Sequence, residues 1–234
     1  MFLSILASLA FPRDLYSKTI AFSGYEWAIK QSEERFGPGP NYFSDSAENV
    51  FVDDKKRLHL KITRRDGKWR CAEILLKKKA GYGTYRLTLD APTDTLDRRA
   101  VFGFFTWSDA PEDTHREIDV EYSRWDMEKN ENTQYVIQPY EKEGNTHRFD
   151  VPAKLNKSVH QFQWSPGRVV FQSFKGDKVE KSSLFHTWTT MQDAPHAGDE
   201  ALHLNLWLFR GAAPAGGQPV EVVIKKFEFT PEKF

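Results

Sequence analysis

Residues 117 to 121 read Glu-Ile-Asp-Val-Glu, three carboxylates at alternate positions with β-branched apolar residues between them. Successive side chains of a strand point to opposite faces, so Glu117, Asp119 and Glu121 share one face and Ile118 and Val120 the other. One face would join a core, and the other would be a row of acids. No Lys or Arg interrupts the row on its own face, and like charges side by side destabilise a sheet. A solvated strand whose acids pair with cations on neighbouring strands is the competing reading of the pentapeptide taken alone. The flanking residues weigh against it, because Phe104, Phe105 and Trp107 precede the row and Tyr122 follows it. Aromatic faces stack pyranose rings, and paired carboxylates can supply the acid and the nucleophile for cleaving a glycosidic bond.

The composition narrows the partners. Lys plus Arg and Asp plus Glu both total 33, giving zero formal charge. A nucleic-acid surface needs a basic field, which this chain lacks, so a neutral polymer is the better match. The short basic runs at 55–57, 64–65 and 77–79 flank strand-like segments and read as ordinary turns or edges. Cys71 is the only cysteine, so neither an internal disulfide nor a thiolate metal cluster is possible. Its neighbours Ala72, Ile74 and Leu76 predict a buried, inert thiol. The seven histidines show no metal-ligand spacing. No stretch reaches the ~18 apolar residues of a membrane span, so no membrane partner is expected.

The elements that must hold the acid row are strands. Runs bounded by Gly, Pro and Asp turns fall at 49–52, 57–63, 72–76, 83–89, 101–106, 117–122, 134–137, 147–151, 160–164, 168–174, 202–207 and 219–230. Nothing between them sustains a helical period, and this spacing predicts an all-β sandwich or jelly roll. At 234 residues such a sandwich can be a single core. Residues 1–20 are set apart as a short signal-like or apolar segment, and 21–234 as the domain. Met1 to Ala10 is apolar and ends in small residues, so a secreted or periplasmic location is expected, although an apolar N-terminal strand would read the same. The Gly37-Pro38-Gly39-Pro40 loop and the 211–217 loop have the composition of cleft rims or of plain connectors.

Outward from the acid row, the chain resembles glycoside hydrolase family 16 over residues 43–229. The motifs that carry the resemblance are Cys71-Ala-Glu-Ile74, Gly81-Tyr-Gly-Thr-Tyr85, Phe104-Phe-Thr106, His160-Gln-Phe-Gln-Trp164 with Ser165-Pro-Gly167, and Asn205-Leu-Trp207. The five-residue acid motif resembles that of licheninases and xyloglucan-modifying enzymes. The resemblance implies a curved β-sandwich of the concanavalin-like jelly-roll type and a retaining endo-β-glucanase acting as a monomer without a cofactor. It implies Glu117 as nucleophile, Asp119 as its helper and Glu121 as acid/base. It implies Glu73, Phe105, Gln138, Tyr140, Asn205 and Trp207 as contacts for a polysaccharide or oligosaccharide. A xyloglucan-type transglycosylase and a non-catalytic, lectin-like sandwich are the alternatives.

Three positions depart from the family pattern. His115 stands where licheninases carry Trp, and Arg116 stands where Asp is usual. Lys225 stands where many members have an Asp associated with structural calcium, so no metal is expected. One geometric demand also follows. A retaining pair needs carboxyls about 5–5.5 Å apart, whereas Cα atoms four residues apart on a strand lie ~13 Å apart. The sheet must therefore bend so that the side-chain tips converge.

Overall fold

The computed structural model describes residues 13 to 233. The signal-like reading of residues 1–10 lies outside the described residues. Two antiparallel sheets face each other in a curved sandwich, the concanavalin-like jelly roll. In lateral order one sheet runs β1 (Lys18–Phe22), β2 (Tyr25–Ile29), β7 (Lys68–Leu76), β16 (Ala201–Leu208), β9 (Ala100–Trp107), β10 (Ile118–Tyr122), β11 (Thr133–Ile137) and β12 (Thr146–Phe149). The other runs β5 (Val50–Val52), β6 (Leu58–Arg65), β17 (Val220–Pro231), β8 (Gly83–Leu89), β13 (Ser158–Ser165), β14 (Arg168–Lys175) and β15 (Leu184–Thr190). A short hairpin, β3 (Ser32–Phe36) and β4 (Asn41–Phe43), lies beside the first part of β7, with β4 parallel to it.

The core is what alternation dictates. Trp27, Ile74, Phe102, Phe104, Ile118, Val120 and Leu204 from the first sheet meet Leu60, Tyr85, Phe162, Phe171, Val222 and Phe227 from the second, all at 1 % exposure or less. Ring contacts knit the layers, as where Phe104 lies 5.2 Å from Phe162 and Trp27 lies 5.3 Å from Phe227. Cys71 is fully buried here, and burial pushes its thiol up to about 12, so it is inert as expected.

Each of the twelve expected runs overlaps a strand, while β1 to β4 and β15 went unread. β3 is Ser-Glu-Glu-Arg-Phe with three exposed central residues, so no alternation marks it. β15 follows a polar stretch without a Gly or Pro boundary. β1 spans the boundary drawn at residue 20, so the sheet begins inside the N-terminal segment.

Candidate active site

The acid row lies on the face of β10 turned away from the core. Ile118 and Val120 are fully buried in the core opposite it. Register then aligns a transverse row: Gln134, Glu121, Gly103, Asn205 and Glu73 are successive cross-strand partners on β11, β10, β9, β16 and β7. A second row runs Asp119, Phe105, His203 and Leu75. Gly103 is required where it stands, because a Cβ there would meet Asn205 Oδ1 at 2.5 Å. Its bare backbone lets the Asn205 side chain lie over it.

A cavity of 660 Å³ opens over these rows. Glu117, Asp119, Glu121, Glu73, Phe105, Asn205 and Trp207 all line it, as does Trp107. Gln138 stands behind the acids, its Nε2 donating to Asp119 Oδ2 at 3.2 Å. Tyr140 is not among the lining residues. It is 59 % exposed, and its backbone N–H donates to Gln138 Oε1 at 2.9 Å.

Burial and mutual repulsion hold protons on the acid row. Glu117 is pushed up to about 8, first by burial and then by Glu121, while a hydrogen bond from Asp119 opposes the shift. Asp119, 2 % exposed, is pushed well above the usual carboxylate range by burial and by both glutamates. Glu121 is pushed up to about 7 by burial, against Gln134 Nε2, which donates to its Oε2 at 2.7 Å, and the charge of Arg148. Three crowded carboxyls cannot all ionise, so the cluster keeps protons at neutral pH. Asn205 Oδ1 and Gln134 Oε1 are buried acceptors with no partner among the described residues, on either side of Glu121 along the row.

Glu117 precedes β10 and is delivered by an unusual turn. Asp113, Thr114, His115 and Arg116 all have φ between 49° and 61°, the left-handed region. Each such residue costs ~1–2 kcal/mol, so surrounding contacts must hold the turn. Thr106 Oγ1 donates to Arg116 O at 2.7 Å and accepts from Ile118 N at 3.1 Å. Asp113 accepts from His196 N at 3.0 Å, and Ser108 N donates to His115 O at 2.7 Å. The His115 ring stacks on Trp107 at 4.2 Å. Arg116 turns away from the acid row to Asp199, 3.5 Å off, and packs on Gly198. Lys225, the third departure, pairs with Asp177 at 2.7 Å.

Glu73 behaves differently from the acid row. Its Oε1 accepts from Tyr16 Oη and His203 Nδ1, each at 3.0 Å, and its Oε2 accepts from Lys30 Nζ at 3.0 Å. Burial would raise its pKa, but Lys30 and His203 together hold it down at about 2. Sequence reasoning missed Tyr16, Lys30 and His203. His203 was within reach, since it sits two positions before Asn205 and shares its face. Tyr16 and Lys30 come from the N-terminal elements that the strand reading passed over.

Neither a family model nor a curated protein matches the sequence. Solved structures do match the fold. A β-glucanase of Bacillus licheniformis aligns at 18 % identity and TM-score 0.64, covering 88 % of this chain and 92 % of that one. A prokaryotic β-1,3-1,4-glucanase (lichenase) derived from a mouse hindgut metagenome aligns at 19 % identity and TM-score 0.64, covering 88 % and 93 %. A Mycobacterium tuberculosis protein described as an immunostimulatory antigen and pseudo β-1,3-glucanase aligns at 18 % and TM-score 0.64, covering 88 % and 91 %. At this identity the likeness establishes a shared jelly-roll fold.

Proposed function

We propose that this chain is a retaining β-glucan hydrolase of glycoside hydrolase family 16, secreted or periplasmic and active as a monomer without a cofactor. One observation carries the reading: Glu117, Asp119 and Glu121 converge on a single aromatic-walled cavity and hold protons to neutral pH. Of the acids that face the cavity, Glu117, Asp119 and Glu121 keep protons at neutral pH, Glu73 pairs with Lys30 and Asp199 with Arg116, and the chain has zero formal charge, which suits a neutral glucan. Mixed-linkage or β-1,3-glucan is the leading substrate class.

In the first step ionised Glu117 attacks the anomeric carbon, the glycosidic C–O bond breaks, and the Glu121 proton passes to the departing oxygen. In the second, water attacks the glycosyl-enzyme, gives its proton to Glu121 and frees Glu117. Asp119, hydrogen-bonded to Glu117, steadies the nucleophile's charge through both steps. These roles need Glu117 ionised while Glu121 is protonated. The cluster titrates as a unit, and the proton it retains at neutral pH is the one that Glu121 donates. Phe105 and Trp207 supply stacking faces, Asn205 a free acceptor for a sugar hydroxyl, and Gln138 and Tyr140 contacts beyond β10.

Reducing-sugar release from β-1,3-glucan, mixed-linkage glucan, xyloglucan and a sulfated galactan tests this. Cleavage of a neutral glucan, with the sulfated polymer untouched, is expected. Binding without release would favour the lectin-like sandwich, and products longer than the substrate would favour the transglycosylase.

A further inference from the structure

The cavity is unequal on its two sides. From Glu121 the transverse row passes Gly103 and Asn205 to Glu73, three strand spacings or ~14 Å away. On an open cleft face Glu73 would be solvated or free to meet a sugar, yet it is 2 % exposed and every hydrogen bond it makes is internal. Tyr16, which donates to it at 3.0 Å, also lines the cavity. That residue ends the 3-10 turn Arg13–Tyr16, which is tied to the sheet by a 2.8 Å bond from Gln31 N to Leu15 O and by burial of Leu15. Tyr16 and Asp109 both line the cavity, and the Asp109 charge reaches the phenol.

A second wall adjoins it. Lys30 Nζ donates to Gly37 O at 2.7 Å as well as to Glu73. The loop that follows is fastened to the end of β16, because Asn41 Nδ2 donates to Pro38 O and to Leu208 O, both at 2.9 Å. On the other side of the acid row, among the described residues, none from β11 or β12 lines the cavity. Tyr140 stands exposed there.

We infer that Tyr16, backed by the Gly37-Pro38 wall, is a stop that ends the saccharide cleft at Glu73. Resting on the hydrolase reading, this confines the enclosed side to about two or three sugar residues, the ~14 Å between Glu121 and Glu73. A long chain cannot run through the site, so the protein cuts near one chain end, where the family resemblance implies endo attack. Glu73 is then a positioning residue that holds the Tyr16 phenol and the Lys30 ammonium, and sugar does not replace them.

The test follows viscosity against bonds cut, and the lengths of the earliest products, on the neutral glucan that the full-length chain cleaves. The wild type is expected to release short oligosaccharides while viscosity barely falls. Tyr16→Phe keeps the ring but loses its bond to Glu73, and should fall between the wild type and Tyr16→Ala. Tyr16→Ala removes the ring and should give longer early products and several-fold more viscosity loss per bond cut. Long early products and steep viscosity loss from the wild type itself would overturn the stop, whether or not the Ala variant folds. An unchanged product pattern in folded Tyr16→Ala would overturn the role of Tyr16. Absence of cleavage on every glucan would instead remove the hydrolase reading on which the stop depends.

Discussion

Glu73 and Glu121 stand on one transverse row of one sheet face, separated by Gly103 and Asn205, and they titrate in opposite directions. Burial raises both. Glu73 ends at about 2 because the charges and hydrogen bonds of Lys30 and His203 outweigh that burial. Glu121 ends at about 7 because its burial is opposed only by the hydrogen bond from Gln134 and the more distant charge of Arg148. A buried carboxylate with a cation beside it is a structural tie, whereas one left among its own kind retains a proton that it can transfer.

The largest effect should come from breaking the acid row. Glu117→Ala and Glu121→Ala should each lower turnover on the order of 10³–10⁴-fold, with the melting temperature not reduced. Asp119→Asn keeps a hydrogen-bonding group of the same shape and should be slower yet measurable. Steady-state rates alongside thermal melts check all three; wild-type rates in either Glu variant would remove the assignment.

Breaking the other side of the comparison should cost stability. Lys30→Met leaves Glu73 buried without its cation, and losing one partner of a buried pair costs about 3–5 kcal/mol. Denaturant unfolding reads this, and Glu73→Gln should lose less, since its amide still meets Tyr16 and His203.

The pH dependence sharpens the contrast. Glu121 moves from 4.5 to about 7, so the folded state holds this proton more tightly than the unfolded chain. Its contribution is full below pH 4.5 and is lost as pH rises to about 7. Glu121→Gln, which never ionises, should therefore be more stable than wild type at pH 8, on the order of 1–3 kcal/mol, and equal to it at pH 4. Glu73 has the opposite sign: its contribution is present above pH 4.5 and is lost as pH falls through about 2. Equal stability of the Glu121→Gln variant and wild type at pH 8 would contradict the raised value.

The smallest effect expected is none. Lys225 is paired with Asp177, and a chelator should leave the melting temperature unchanged. A drop of many degrees would show that an ion is held elsewhere in the chain.

Much of the sandwich and of the acid row was legible because alternation is a local property. Ile118 and Val120 went to the core, the three acids went to the cavity, and Asn205 and Trp207 shared its face, as a period of two requires. The tie at Glu73 was not legible. Tyr16 and Lys30 meet it from 57 and 43 residues away, one from a 3-10 turn and the other from just past β2, neither of which carries a clear alternation. Arg116 was equally open at that level. Only the left-handed turn before Glu117 sends its guanidinium to Asp199 and away from the acids.

Glu117 as nucleophile and Glu121 as proton carrier can be told apart directly. A 2-deoxy-2-fluoro glucoside with a good leaving group slows the second step more than the first, so a glycosyl-enzyme accumulates. Mass spectrometry of the intact chain and then of its peptides locates the adduct. One added sugar on Glu117, absent in Glu117→Gln, is the predicted result, and an adduct on Glu121 would contradict these roles.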